Sequence, residues 1–203
     1  VLRASKYLPS FSLRGDELAL ARNLFNRTPV ELVTTPLSGE QAAPFGFVLI
    51  VKILMMVFGQ SEYVLRLVAF ASGCISLFLM QNLLAKTNGR FGNLFALTAF
   101  AFGGYLIYYS AEFKQYSSDV LLCLILILAF YQHISRETTA KDFLKLAAVG
   151  VLALCLSYPS VFVIGGIGIA LFLHYWRDKQ KLLWITLVGM AWAVTFLALY
   201  FLL

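Results

Sequence analysis

Two short stretches of this 203-residue chain concentrate side chains able to move a proton or hold an anion, and both lie among long apolar runs. The first, LRGDELALARNLF at 13–25, sets Asp16 beside Glu17. The second, YYSAEFKQYSSDV at 108–120, carries Glu112, Lys114, Gln115, Tyr116 and Asp119. A carboxylate can take a proton from an attacking hydroxyl, and a lysine or arginine can neutralise a departing oxyanion. Spacing alone also admits plainer roles. Asp16 is placed to cap a short helix that ends at Pro29 and presents Leu18, Ala21 and Phe25 on one face, and the second stretch reads equally as an interfacial loop. Adjacent carboxylates on a helix point about 100° apart, so Asp16 and Glu17 are not expected to face one substrate together. Asp119 abuts an apolar run, where a charge needs a partner or water.

The elements that must position these residues are membrane helices. Hydrophobic residues make up 61% of the chain and charged residues 13%. No Asp, Glu, Lys or Arg interrupts residues 67–85, 91–111, 120–135, 146–176 or 182–203, so each run is a spanning candidate. The run at 146–176 would make a helix of about 45 Å, longer than a hydrocarbon core of about 30 Å, and Pro159 disfavours helix at Tyr158. Two helices are expected there, giving about six transmembrane helices over 63–203. Connections holding Lys86 and Arg90, then Arg136, Lys141 and Lys145, then Arg177, Lys179 and Lys181 alternate with connections poor in basic residues, so the basic set is expected to be cytoplasmic. The loop at 110–118 and the turn at Tyr158 then face outward. The run Phe45 to Phe58 is only about 21 Å long as a helix, holds Lys52 centrally and follows Pro44, which favours a juxtamembrane helix over a span. The expected fold is all-α: one polytopic membrane domain with a polar arm at 1–44, a juxtamembrane helix at 45–59 and the spans beyond. The arm lies outside if 45–58 does not span and in the cytoplasm if it does; charge counting does not choose, because the arm also carries five basic residues. The chain does not begin with Met and 1–39 lacks a signal-like apolar run, so it is read as a piece of a longer protein.

Other chemistries find little footing. The formal charge of +6 is spread between apolar runs with no basic cluster interleaved with aromatics, so nucleic acid is not an expected partner. Cys74, Cys123 and Cys155 sit inside apolar runs with no metal or disulfide spacing. His133 and His174 lie at run ends without ligand-spaced companions and read as interfacial residues.

The two polar stretches, with APFGFVLIVKILMMVFGQSEYVLRL at 43–67 between them, resemble the glycosyltransferase family 39 type of the GT-C superfamily. That type includes dolichyl-phosphate-mannose protein mannosyltransferases and bacterial enzymes that move aminoarabinose onto lipid A. The resemblance rests on an Asp-Glu pair, an Ala-Pro helix ending in Phe-Gly, a Ser-Glu-x-x-x-Arg helix start and a Glu-x-Lys-Gln-Tyr loop, in that order, over about half of the chain. It departs where relatives often carry two prolines and this chain has Ala43-Pro44, which leaves the roles of Glu40 and Gln41 open.

The resemblance implies transfer of a sugar, with inversion, from a polyprenyl-phosphate donor to a hydroxyl of a protein, lipid or glycan acceptor at the outer face of the bilayer. It implies an extracytoplasmic arm, with Asp16 as catalytic base or acceptor-orienting carboxylate and Glu17 holding the arm or in second place. Glu112 and Asp119 are expected on the opposite wall with Gln115 and Tyr116, and Lys114 and Arg66 as cations toward phosphate. A divalent metal stays open as a cofactor, because relatives differ in metal use. The alternatives are a transporter or flippase for a lipid-linked or small solute, disfavoured by spans without ionisable residues, and a noncatalytic scaffold subunit.

Overall fold

The apolar runs become helices, one for each run except at 91–111 and 146–176, where there are two. The computed structural model describes residues 1–9, 12–86 and 89–202. Among them are eleven helices and no strand: α1 (Leu2–Tyr7), α2 (Gly15–Asn26), α3 (Pro29–Thr34), α4 (Phe45–Phe58), α5 (Glu62–Leu84), α6 (Arg90–Phe102), α7 (Gly104–Tyr109), α8 (Tyr116–Ile134), α9 (Ala140–Leu156), α10 (Ser160–Tyr175) and α11 (Lys179–Leu202). Three of these, α5, α8 and α11, are long and apolar enough to cross a membrane. The last residue of the 182–203 run lies outside the described residues. The chain forms two compact units, 1–121 and 122–202, divided within α8.

In the first unit the polar arm is a small folded body. Its helix α2 has Arg14, not Asp16, at the N-cap: the Glu17 carboxylate accepts the Arg14 backbone N–H at 3.4 Å, one turn back. Gly15 at φ +40° makes the tight entry that a side chain would strain. Of the expected face, Leu18, Ala21 and Phe25, only Ala21 is turned inward. Leu20, Ala21 and Leu24 are buried, whereas Leu18 and Phe25 are more than a third exposed. The apolar spacing in this stretch supports either face, and the choice falls to the side that also buries Glu17 and Asn23. The Asn23 amide donates to the Ala19 and Ser38 carbonyls and accepts the Ser38 N–H, folding the returning segment of the arm onto α2. Helix α3 begins at Pro29 behind a Thr28 cap, and the Thr28 backbone and hydroxyl hydrogen bonds hold the Glu31 carboxyl below its ordinary value. That support is full at neutral pH and is lost as acid carries the medium down through the lowered value.

Helix α4 presents Phe47, Val48, Val51 and Met55 to the arm and leaves Ile53, Met56, Val57 and Phe58 exposed. At 14 residues it is too short to span. Lys52, the charge in its middle, donates through Nζ to the Leu24 carbonyl in the last turn of α2, where a helix end carries partial negative charge. A lysine in an apolar helix thus becomes a C-terminal cap for its neighbour. Helix α5 starts at Ser61, whose hydroxyl accepts the Val64 N–H. The run expected as one span at 91–111 is instead two helices, α6 and α7, separated at Gly103, where ψ is 112°. Consecutive glycines at 103 and 104 are poor helix residues, and an extended ψ at the first breaks the ladder.

In the second unit the chain breaks at Ser157-Tyr158-Pro159 between α9 and α10. Phe143, Leu146, Ala153, Ile164, Leu171 and Trp192 form a core there. The approach of α11 to α9 depends on Gly150: the Trp192 indole lies where a Cβ would stand, and its N–H donates to the Ala147 carbonyl at 3.1 Å. Gly150→Ala forces the indole out of this seat. The expected loss is about 1–3 kcal/mol, the usual cost of overpacking, read as a lowered midpoint of equilibrium unfolding in detergent. An unchanged midpoint would show that the two helices do not rest on this contact.

Candidate functional site

The site is organised by one buried carboxylate. Glu17 is 4% exposed in its side chain and forms a two-point pair with Arg66, with Arg66 Nε to Oε1 at 3.0 Å and Nη2 to Oε2 at 2.8 Å. Its Oε1 also accepts the Phe113 backbone N–H at 2.6 Å. One side chain therefore joins the first turn of α2, the second turn of α5 and the loop between α7 and α8. The α2 backbone makes this possible by placing Glu17 at the third helical position, facing inward, while Asp16 one residue earlier faces out.

Phe113 is the apolar counterpart of that pair. It is wholly buried in the arm core, with its ring 6.0 Å from that of Phe47. A single aromatic between Glu112 and Lys114 inserts into the arm, so the polar residues on either side must lie along the arm's surface. Two further hydrogen bonds fasten the same loop: Lys114 Nζ to Gln41 Oε1 at 3.0 Å and Gln115 Nε2 to the Ala42 carbonyl at 3.3 Å.

The cleft between arm and loop has two adjoining lobes, of about 290 and 400 Å³, which share Arg14, Glu17, Tyr108 and Glu112. The smaller lobe adds Lys6, Ser12 and Arg66. The larger adds Asp16, Lys114, Tyr109 and Tyr116. Asp16 is 81% exposed, and Lys114 Nζ stands 3.8 Å from its Oδ2. With Glu17 and Arg66 neutralising one another, the lining is left with Asp16 and Glu112 against Lys6, Arg14 and Lys114, an excess of one positive charge. The Tyr108 hydroxyl faces the Glu112 carboxylate, and the Tyr109 and Tyr116 rings meet edge to face at 4.6 Å. A larger cavity of about 640 Å³, near Gln81, Arg90 and Phe91, has mainly apolar walls and no carboxylate.

Of the residues singled out in the sequence, Asp16, Glu17, Arg66, Glu112, Lys114 and Tyr116 line this cleft. Gln115 is turned to the Ala42 carbonyl, and Asp119 is buried in the first turn of α8; neither lines it. Arg66 is held by Glu17. The sequence reading missed Arg14, Lys6 and Tyr108, and it missed Phe113 altogether. Phe113 had a signal, a lone large apolar residue inside a run of polar ones; Lys6 and Arg14 had none, because only the folding of α1 and α2 brings them to the cleft. Among the described residues no group of three His, Cys, Asp or Glu side chains converges.

The helices below the cleft fix its level. Ser72 of α5 meets Ser118 of α8 at 3.4 Å. Arg66 is six residues nearer the start of α5, or about 9 Å along its axis. The cleft thus sits beyond the point at which α5 and α8 come side by side.

Removing the charge of Glu17 alone leaves a buried guanidinium without its nearest counter-ion, with Glu62 and Glu112 farther off. Glu17→Gln is expected to lose about 3–5 kcal/mol of unfolding free energy, and Glu17→Leu combined with Arg66→Met to recover most of it. Loss of less than about 1 kcal/mol in the single variant would mean that the pair is a bystander. No protein-family model, curated protein or solved structure matches this chain.

Proposed function

We propose that this chain is the membrane portion of a glycosyltransferase that moves a sugar from a polyprenyl phosphate to an acceptor hydroxyl at the outer membrane face. The observation that carries the reading is the division of labour between neighbouring carboxylates. Glu17 is consumed by Arg66 and Phe113, whereas Asp16 stands open in a cleft of net positive lining. A base must reach its substrate, and of the Asp-Glu pair only Asp16 is exposed.

In this reading the acceptor hydroxyl lies against Asp16. As its oxygen bonds to the anomeric carbon, the proton passes to the Asp16 carboxylate and the bond from that carbon to the phosphate oxygen breaks, with the electron pair leaving on the phosphate. Attack from the side opposite the phosphate inverts the anomeric centre. Lys114, Arg14 and Lys6 are the cations to meet the developing phosphate charge, as ammonium and guanidinium donors. The tyrosines suit the apolar faces of a sugar ring and the headgroup level of a bilayer. With α8 crossing the hydrocarbon, Arg66 and the cleft stand above it, where a lipid-linked phosphate resides, and the basic connections elsewhere in the chain favour the extracytoplasmic side for the arm.

The test is transfer from a panel of polyprenyl-phosphate sugars by the full-length protein. Asp16→Asn, which keeps shape and removes the base, is expected to lower kcat by about two orders of magnitude or more while folding persists. Lys114→Gln is expected to raise the apparent KM for the lipid donor more than that for the acceptor, or to lower kcat if its contact forms as the phosphate departs. Turnover of Asp16→Asn within about twofold of the parent, well under the 1.4 kcal/mol of a tenfold change, would remove the carboxylate from the reaction. Transport of the same lipid without sugar transfer would favour a flippase instead.

A further inference from the structure

A second polar cavity lies wholly in the other unit, at the C-terminal end of α8. It measures about 250 Å³, roughly eight water volumes at about 30 Å³ each. Helices α8 and α9, joined by a short loop, both line it, and its walls change character with distance from that loop. Near the loop stand Gln132, His133, Arg136, Asp142 and Lys145; farther along both helices stand Ala129, Leu146 and Val149. A polar mouth that grades into an apolar wall matches the profile of one lipid molecule, headgroup to chain.

Two observations indicate the charge of the headgroup. His133 is only 3% exposed, and neither Nδ1 nor Nε2 makes a hydrogen bond of good geometry among the described residues, although the Asp142 backbone lies near the ring. An imidazole always carries at least one N–H, and its nearest ring is Phe143, edge to face at 4.5 Å, which offers no strong acceptor. Burying such a donor unpaired is costly, so an acceptor at this place is favoured. The charges around it agree. Arg136 pairs with Asp142 at 2.6 Å, whereas Lys145 has no carboxylate within 4.0 Å among the described residues, which leaves the lining net positive.

We propose that this cavity binds one anionic glycerophospholipid, with its phosphodiester beside His133, Arg136 and Lys145 and the first part of an acyl chain along Ala129, Leu146 and Val149. A phosphodiester supplies oxygen acceptors for the imidazole N–H and one negative charge for the unpaired lysine. The apolar wall distinguishes a lipid from free phosphate, which would have no use for it. The inference is independent of the glycosyl-transfer reading, because it draws on no residue of that cleft.

The full-length protein in a neutral detergent, examined by native mass spectrometry during titration with phosphatidylglycerol, phosphatidylcholine or inorganic phosphate, tests it. Phosphatidylglycerol is expected to give a saturable single adduct, with phosphatidylcholine weaker by about fivefold or more and inorganic phosphate giving none. Lys145→Gln, at an exposed position, and His133→Phe, which keeps the aromatic packing and removes the buried polar nitrogens, are each expected to weaken phosphatidylglycerol by about fivefold while thermal stability stays at or above the parent's. Equal binding of the two lipids, displacement of phosphatidylglycerol by inorganic phosphate, or parental affinity in either variant would overturn the proposal.

Discussion

Burying a carboxylate and a guanidinium together is tolerable only when geometry is good and the remaining lone pairs are used, and Glu17 with Arg66 meets both conditions. The pair has two short contacts, and Glu17 accepts two further backbone N–H groups, from Phe113 and Arg14. Such an arrangement is directional in a way that apolar packing is not. It admits one placement of α2 against α5, and it admits the loop before α8 only with the Phe113 amide turned toward the arm. The remainder of the cleft follows from that placement: Phe113 enters the arm core, Lys114 reaches Gln41, and Asp16 is left at the rim.

The same constraint explains how charges coexist with helices that are otherwise suited to lipid. Arg66 belongs to a helix of spanning length, yet it sits about 9 Å nearer the helix start than the contact with α8, where α5 can project above the hydrocarbon. Lys52 likewise lies in an apolar helix but discharges its cost on a helix-terminal carbonyl. In each case the ionic group is bound to the arm. The arm is therefore less an appendage than the counter-ion and cap for the helices beneath it.

The helical character of the chain and the limits of most helices were legible in the sequence because uncharged runs and their punctuation are local properties. The break at Pro159 and the start at Ser61 are of that kind. The interruption at Gly103 was written in two adjacent glycines, but it was outweighed by the apolar run around them. The arm was harder. Its apolar residues support two helix faces, and the choice between them is made by the burial of Glu17 and Asn23, whose partners are Arg66, Phe113 and Ser38, far away in the chain. The same distance hid the cap: Asp16 has the right side chain for an N-cap, but Glu17 closes the turn on Arg14, and Asp16 is left at the cleft. Six of the eight residues chosen from the sequence gather there; Gln115 and Asp119, on the same segment as Lys114 and Tyr116, are turned away by the twist of the chain into α8.

If Glu17 is the tie that holds the arm, the α5 start and the loop as one body, then weakening it must loosen all three together. Hydrogen–deuterium exchange of the parent and of Glu17→Gln, followed by peptide mass, measures this directly. The account predicts faster exchange at once in peptides covering 15–24, 62–68 and 110–116, with peptides of α9 to α11 unchanged. Faster exchange confined to the arm, or the same exchange in both proteins, would contradict it.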